Sequence, residues 1–129
     1  MFWSKSQSSK KVIVVKLKGG LGNQMFQYAC GKAVSLKHNS LLYLDISGFP
    51  DHNGRKYSLE GLNVKANIAD NCLLRKFKDG LLSVLLKKLG FNIDFRYKCY
   101  FEKKRIVFDP EIFDAGDNIY IDGYWQNEE

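Results

Sequence analysis

Five residues in one short stretch have the types and spacing to do chemistry. Gly19, Gly20 and Gly22 are followed at once by Asn23 and Gln24 in "KGGLGNQMFQYACG", Lys18 to Gly31. Glycines let a main chain pass close to a ligand, and a helix start offers unpaired N–H groups carrying a partial positive charge. Together they suit a phosphate or a developing anion. The two amides add dipoles that both donate and accept. Two carboxylates join them: Asp45, at the end of "NSLLYLDIS", and Asp122, in "NIYIDGYWQ" just ahead of Tyr124, Trp125 and Gln126. A carboxylate can orient a hydroxyl, and aromatic faces suit the C–H surfaces of a sugar. Arg55, with Lys56 and Tyr57, sits in a turn-rich loop where it would meet an anion or a sugar; the plainer alternative is a solvated loop.

The elements that must position these groups are legible on either side. "KVIVVKL" is apolar and β-branched, which predicts a buried strand of roughly 5–7 residues. Beyond the glycines, Phe26, Ala29, Cys30 and Ala33 recur at helical spacing, predicting a helix with that face inward, with Met25 and Tyr28 packing it and Asn23 at its N-cap. "NSLLYLDIS" predicts a second buried strand ending at Asp45. Strand, glycine turn, helix and strand make a right-handed βαβ unit with parallel strands. Loops beyond the carboxyl ends of such strands line the ligand crevice of an open α/β sheet. The glycine turn, Asp45 and Asp122 all fall on that edge.

The rest of the chain is less specific. Ser47 to about Asn63 reads as a long irregular loop at the ligand edge. "ADNCLLRKFKDGLLSVLLKKLG" places Leu73, Phe77, Leu81, Leu85 and Leu89 four apart, with Arg75, Lys76, Lys78, Lys87 and Lys88 against a single Asp79. Gly80 predicts a break into two helices. Two roles stay open for residues 73–91: an outer helix covering the sheet, or peripheral contact with an anionic membrane surface. "DFRYKCYFEK" alternates around Phe95, Tyr97, Cys99 and Phe101, a strand with one covered face. Pro110 suits the first turn of a short helix. "NIYIDGYWQ" predicts a last strand ending in an exposed aromatic corner, with core anchoring of Tyr124 and Trp125 as the alternative. His38 and His52 read as surface residues.

Composition narrows the classes. A chain of 129 residues, 45% hydrophobic and 26% charged, has the make-up of one globular domain. We expect residues 1–10 to be a disordered lead-in and 11–129 the domain. Cys30, Cys72 and Cys99 are odd in number and widely spaced, which argues against a zinc site or a disulfide framework and for reduced thiols in a cytosolic compartment. The longest apolar run, "LLSVLL", is too short to span a bilayer. The net charge of +6 hides a gradient: residues 1–18 hold five lysines and no acid, residues 109–129 seven acids and no base. A uniformly basic nucleic-acid surface does not look like that.

Several chemistries compete for the glycine turn, beside the plain possibility of a tight bend. Gly20-x-Gly22 begins a dinucleotide fingerprint and Asp45 lies about 20 residues on, but Met25 replaces the third glycine. A P-loop fails, since no glycine precedes Gly31-Lys32 at the required distance and Ala33 replaces Ser or Thr. The third reading comes from a resemblance. "KGGLGNQMFQYACGKAVS" resembles the N-terminal signature of glycosyltransferase family 11, the galactoside α-1,2-fucosyltransferases. "LYLD", "RKYSLEGLNV", "FDPEIF" and "IDGYWQ" continue it in order over residues 12–126, with Asn127 where that family has serine.

The resemblance implies a Rossmann-like N-terminal domain of a two-domain GT-B enzyme, with the active site between the halves. The donor would be GDP-L-fucose and the acceptor a terminal galactoside, with inversion at the fucose anomeric carbon and neither metal nor cofactor. Asn23 and Gln24 would lie in the active cleft, and Gly19, Gly20, Gly22, Asp45, Arg55, Tyr124, Trp125 and Gln126 would contact substrate. Bacterial relatives of this type decorate surface polysaccharide such as O-antigen, so a cytoplasmic chain at the inner membrane face is expected. The family's H-x-R-x-G-D-Y block, whose arginine holds the donor diphosphate, does not occur here. The expectation is therefore one half of an enzyme, inactive alone, or a non-catalytic module pairing with a separate donor-binding domain.

Overall fold

The computed structural model describes residues 11–91, 97–103, 109–114 and 118–126. The expected lead-in 1–10, Phe95 and Asn127 lie outside the described residues. In chain order the elements are β1 (Val12–Lys16), α1 (Leu21–Lys37), β2 (Leu41–Asp45), a 3-10 turn (Leu59–Gly61), β3 (Asn67–Ile68), α2 (Asn71–Lys88), β4 (Lys98–Phe101), a second 3-10 turn (Pro110–Asp114) and β5 (Ile119–Asp122). The five strands form one sheet in the order β3-β2-β1-β5-β4. Every pairing is parallel. The fold is α/β and Rossmann-like, with a helix on each face.

The strands read as continuous apolar runs because both faces are covered. In β1, Ile13, Val14 and Val15 are wholly buried. Ile13 and Val15 join Leu17, Val34, Leu42, Leu44, Ile119, Ile121 and Trp125 in the larger core, on the α1 side. Val14 points the other way, into a smaller cluster with Phe77 of α2, backed by Leu73, Leu74, Cys99 and Tyr120. Burying a side chain the size of Phe77 contributes about 1.5–3 kcal/mol. That exceeds the roughly 1 kcal/mol an interior helical glycine costs. Accordingly α2 runs unbroken through Gly80, where the sequence predicts two helices.

Helix α1 corrects the sequence reading most. Its buried residues are Gln24, Gln27, Gly31, Val34 and Ser35. Phe26 and Ala29, predicted inside, are exposed, and Met25, predicted to pack the helix, is 49% exposed. The reason is steric. At Gly31 an added Cβ would lie 3.0 Å from Leu42 Cδ1 and 3.1 Å from Val15 Cβ. The helix therefore seats on the sheet through its smallest side chain, and the residues three, four and seven away from Gly31 turn inward with it. The N-cap is Gly20, not Asn23, because α1 begins earlier, at Leu21. One shorter correction follows: Phe101, expected on the covered face of its strand, is 51% exposed at the carboxyl end of β4. Of the two readings of Trp125, exposed corner or core anchor, the structure has the core anchor, at 9% exposure. Pro110 does open a helical turn, as predicted.

Candidate functional site

Strand order reverses about β1: the chain moves outward from β1 to β2 and β3, then crosses to β4 and returns to β5 beside β1. A crevice beyond the carboxyl ends at such a reversal is where open α/β sheets bind ligands. The segments that leave β1 and β5 there are the glycine turn, 17–20, and the aromatic segment, 123–126. Register sets Lys16 beside Asp45, and Phe101 beside Asp122, at that same edge.

Gly19 has φ +80, a left-handed conformation that costs an L side chain roughly 1–2 kcal/mol. A Cβ there would also lie 2.5 Å from Asn23 Nδ2, whereas Gly20 and Gly22 face open space. The first helical hydrogen bond runs from Gln24 N to Gly20 O, 3.0 Å. No side chain caps α1, and its first turn holds no acid. The start of α1 thus keeps its partial positive charge uncompensated, with no side chain shielding it at Gly20 or Gly22.

The two glutamines behind the turn are fully buried. Gln24 Nε2 donates to Gly19 O at 3.0 Å and to Lys56 O at 2.9 Å, while its Oε1 accepts from Ser58 N at 2.9 Å. Gln27 Oε1 accepts from Lys18 N at 2.9 Å and its Nε2 donates to Lys18 O at 3.2 Å. Each amide stands in for a neighbouring strand, Gln27 beyond the end of β1 and Gln24 between the turn and the 56–58 loop. Gln24 is therefore occupied within the protein and shapes the turn without facing the crevice.

Asn23, by contrast, reaches the aromatic segment: its Oδ1 accepts from Gln126 Nε2. That contact joins the two segments that leave the reversal point. Glu102, just past β4, holds the aromatic segment by accepting from Tyr124 N and Trp125 N, each at 3.0 Å. Lys18 Nζ lies 2.8 Å from Asp122 Oδ1 and 4.7 Å from the centre of the Tyr124 ring. Lys16 Nζ lies 3.9 Å from the other oxygen of Asp122. Trp125 belongs to the core, and its buried Nε1 has no partner among the described residues. Arg55 is exposed in a turn closed by Asp51, whose Oδ1 accepts from Arg55 N at 2.9 Å, and it directly precedes Lys56, whose carbonyl shares the Gln24 amide with Gly19 of the glycine turn.

On the α2 side of the edge lies a cleft of about 380 Å³, bordered by Lys16, Asp45, Arg75, Lys78, Tyr120 and Asp122 among others. Asp45 is buried; it accepts from Ser47 N at 2.9 Å and from the Tyr120 hydroxyl. Burial, then the Asp45 carboxylate, push the Tyr120 hydroxyl well above its ordinary pKa, so it stays a donor. Burial, then the charge of Asp122, raise Cys99 to about 11. His38, predicted as a surface residue, is half-buried, its Nε2 2.7 Å from Phe113 O. The site thus brings together Gly19, Gly20, Gly22, Asn23, Asp122, Tyr124 and Gln126, with Asp45 across the sheet edge. Sequence reasoning missed Gln27, Lys18, Glu102 and Tyr120. For Tyr120 a signal existed, since alternation in "NIYID" puts it on the face opposite Ile119 and Ile121; for Glu102 only the β4–β5 register gives it.

Fold and edge define a Rossmann-like domain with an uncapped helix start at the carboxyl edge of its sheet. The chain is 48% identical over 56 residues to the alpha-1,2-colitosyltransferase of Escherichia coli, a match covering 41% of this chain and 19% of that protein. The chain thus aligns with about one-fifth of the length of that relative, and the similarity is to a glycosyltransferase. No family model matches, and no solved structure matches.

Proposed function

We propose that this chain forms one wall of the cleft of an inverting glycosyltransferase. The enzyme moves L-fucose, or colitose, its 3-deoxy counterpart, from a GDP-linked donor to the 2-hydroxyl of a terminal galactoside. The observation that carries the reading is the uncapped, glycine-lined start of α1, tied through Asn23 and Gln126 to the aromatic segment. The similarity to a colitosyltransferase supports it and supplies the sugar class.

In that reaction the acceptor oxygen bonds to the anomeric carbon from the face opposite GDP. The bond from that carbon to the diphosphate oxygen breaks, and the acceptor proton leaves to a base. The turn places N–H dipoles toward the departing negative charge. Tyr124 offers a ring to a sugar face, and Asp122, fixed by Lys18, orients an acceptor hydroxyl. Asp45 holds Tyr120 and Ser47 in place. Magnitudes decide how much this wall does unaided. A helix start contributes at most about 2 kcal/mol. Enzymatic transfer requires barrier reductions of roughly 8–23 kcal/mol, of which positioning both substrates together can supply about 7–11. Ligand contact without appreciable turnover is expected for the 129 residues by themselves.

The test is a ¹H–¹⁵N titration of the chain with GDP-fucose, GDP-colitose and lactose, with product analysis alongside. Shifts at Gly20, Gly22, Asn23, Tyr124 and Gln126 are expected, with the preferred sugar nucleotide giving the larger ones. Shifts confined to other surfaces, or none at millimolar ligand, overturn the proposal. Ready formation of 2'-fucosyllactose would overturn the energetic argument instead.

A further inference from the structure

Helix α2 is docked by its N-terminal half and free on the far side of its C-terminal half. Leu73, Leu74 and Phe77 pack against the sheet. Leu82, Leu85 and Leu89 are 53%, 55% and 67% exposed. Leu89 continues the last turn, its N donating to Leu85 O at 3.3 Å. These leucines follow one another at three- and four-residue steps, so they share a stripe. Counting back by the same steps from Leu82, the stripe continues through Lys78 and Arg75, both exposed. Phe101 and Phe91, 51% and 56% exposed, add apolar surface at the cleft border and just past the helix end. The helix carries Arg75, Lys76, Lys78, Lys87 and Lys88 against Asp79 alone.

Such a stripe has a specific complement. A soluble partner could cover leucines, but Arg75 and Lys78 in line with them, on a helix whose sequence holds five cations against one acid, call for a surface that is both apolar and anionic. A bilayer rich in acidic headgroups presents both at the right depths: the leucines enter the acyl boundary while Lys and Arg stems reach back to phosphates. No helix among the described residues is long and apolar enough to cross a membrane, so the contact is one of lying on the surface.

We propose that the Arg75–Leu89 stripe of α2 is a peripheral membrane-binding surface selective for anionic lipid. This stands independently of the transfer reaction proposed above. The cleft bordered by Arg75 and Lys78 then opens next to the lipid headgroups.

The experiment is flotation of the full chain with vesicles of phosphatidylcholine alone or with about one-third phosphatidylglycerol. Binding to the acidic vesicles, lost at high salt, is expected. The Arg75→Glu, Lys78→Glu double variant should bind at least about 25-fold more weakly, at about fivefold per basic residue. Leu82→Asp with Leu85→Asp should abolish flotation while the circular dichroism spectrum stays that of the wild type, since both side chains are exposed. Equal binding to neutral vesicles, indifference to these variants, or a wild-type chain that stays with the lipid-free fraction would each overturn the proposal. Light scattering supplies the competing outcome: a dimer dispersed by the leucine variants, with no flotation, assigns the stripe to a second copy of this chain.

Discussion

Replacing Gln24 by leucine tests whether the buried amide builds the turn. The volume is nearly kept, but three hydrogen bonds disappear. Gly19 is buried, so its carbonyl is left without water or partner, at about 1–3 kcal/mol. Lys56 O and Ser58 N belong to exposed residues and can rehydrate, losing about 0.5–1.5 kcal/mol each. The extra apolar burial of leucine returns part of this, leaving a net loss of about 2–4 kcal/mol. A domain of ordinary stability, about 5–15 kcal/mol, survives that. With a urea dependence of about 1–3 kcal/mol per molar, the midpoint should fall by about 1–2 M. A second readout is local: with the strap gone, trypsin should cut after Arg55 and Lys56 well before the domain unfolds. Gln24→Glu should be worse at neutral pH, because a buried carboxylate would face the Gly19 and Lys56 carbonyls, and should recover in acid as it protonates. An unchanged midpoint together with unchanged cleavage would refute the strap.

The glycines separate geometry from recognition: Gly19→Ala should lower stability by at least about 1–2 kcal/mol, because its φ is positive and its new methyl strikes Asn23. Gly22→Ala should raise the melting temperature, since it improves a helix by about 0.5–1 kcal/mol and meets nothing, yet it should weaken sugar-nucleotide binding if that open surface is where the ligand sits. Alkaline pH gives a third test, because burial raises the Cys30 thiol to about 12 and the Cys99 thiol to about 11. The folded chain holds protons that the unfolded chain gives up, so stability is complete below about pH 8.5 and is lost as pH rises toward the folded values. Urea midpoints between neutral and alkaline pH in reductant should show this, and Cys30→Ala with Cys99→Ala should move the onset up toward the range of tyrosine ionisation.

The parts of the fold visible in the sequence are those where one local signal dominates. β1, β2 and β5 are apolar runs bounded by turns, and the glycine cluster between β1 and α1 has no other structural use. β3, two residues long, has no pattern to detect, and its existence depends on pairing with β2. Periodicity misplaces the inward face of α1 because it weights Phe26 and Ala29 as core and Gln24 and Gln27 as surface. That weighting assumes that buried amides lack partners, and here the backbone of an irregular turn provides them. Of the site, the members that follow β1 and β5 could be placed on the ligand edge from the βαβ pattern alone. Their mutual contacts, Asn23 with Gln126 and Glu102 with the 124–125 backbone, depend on which strands are neighbours, which short segments do not state.

The inversion of α1 also bears on why this turn is suited to an anion. Past Lys16 the strand leaves the sheet, yet Lys18 and Gly19 still carry backbone groups that must be paired or exposed. Glutamine amides from the helix satisfy them, so the bend needs no side-chain cap of its own and no water beneath it. Turning those amides inward turns Leu21, Met25 and Phe26 outward, 45%, 49% and 36% exposed, around the same helix start. Apolar neighbours lower the local dielectric, and a lower dielectric strengthens the pull of uncapped N–H groups on a negative charge. One packing decision, the seating of α1 through Gly31, therefore fixes the turn from behind and leaves bare the side proposed to meet an anion. A bulkier residue at position 31 should loosen both together, whereas a change at Asn23 should touch only the second.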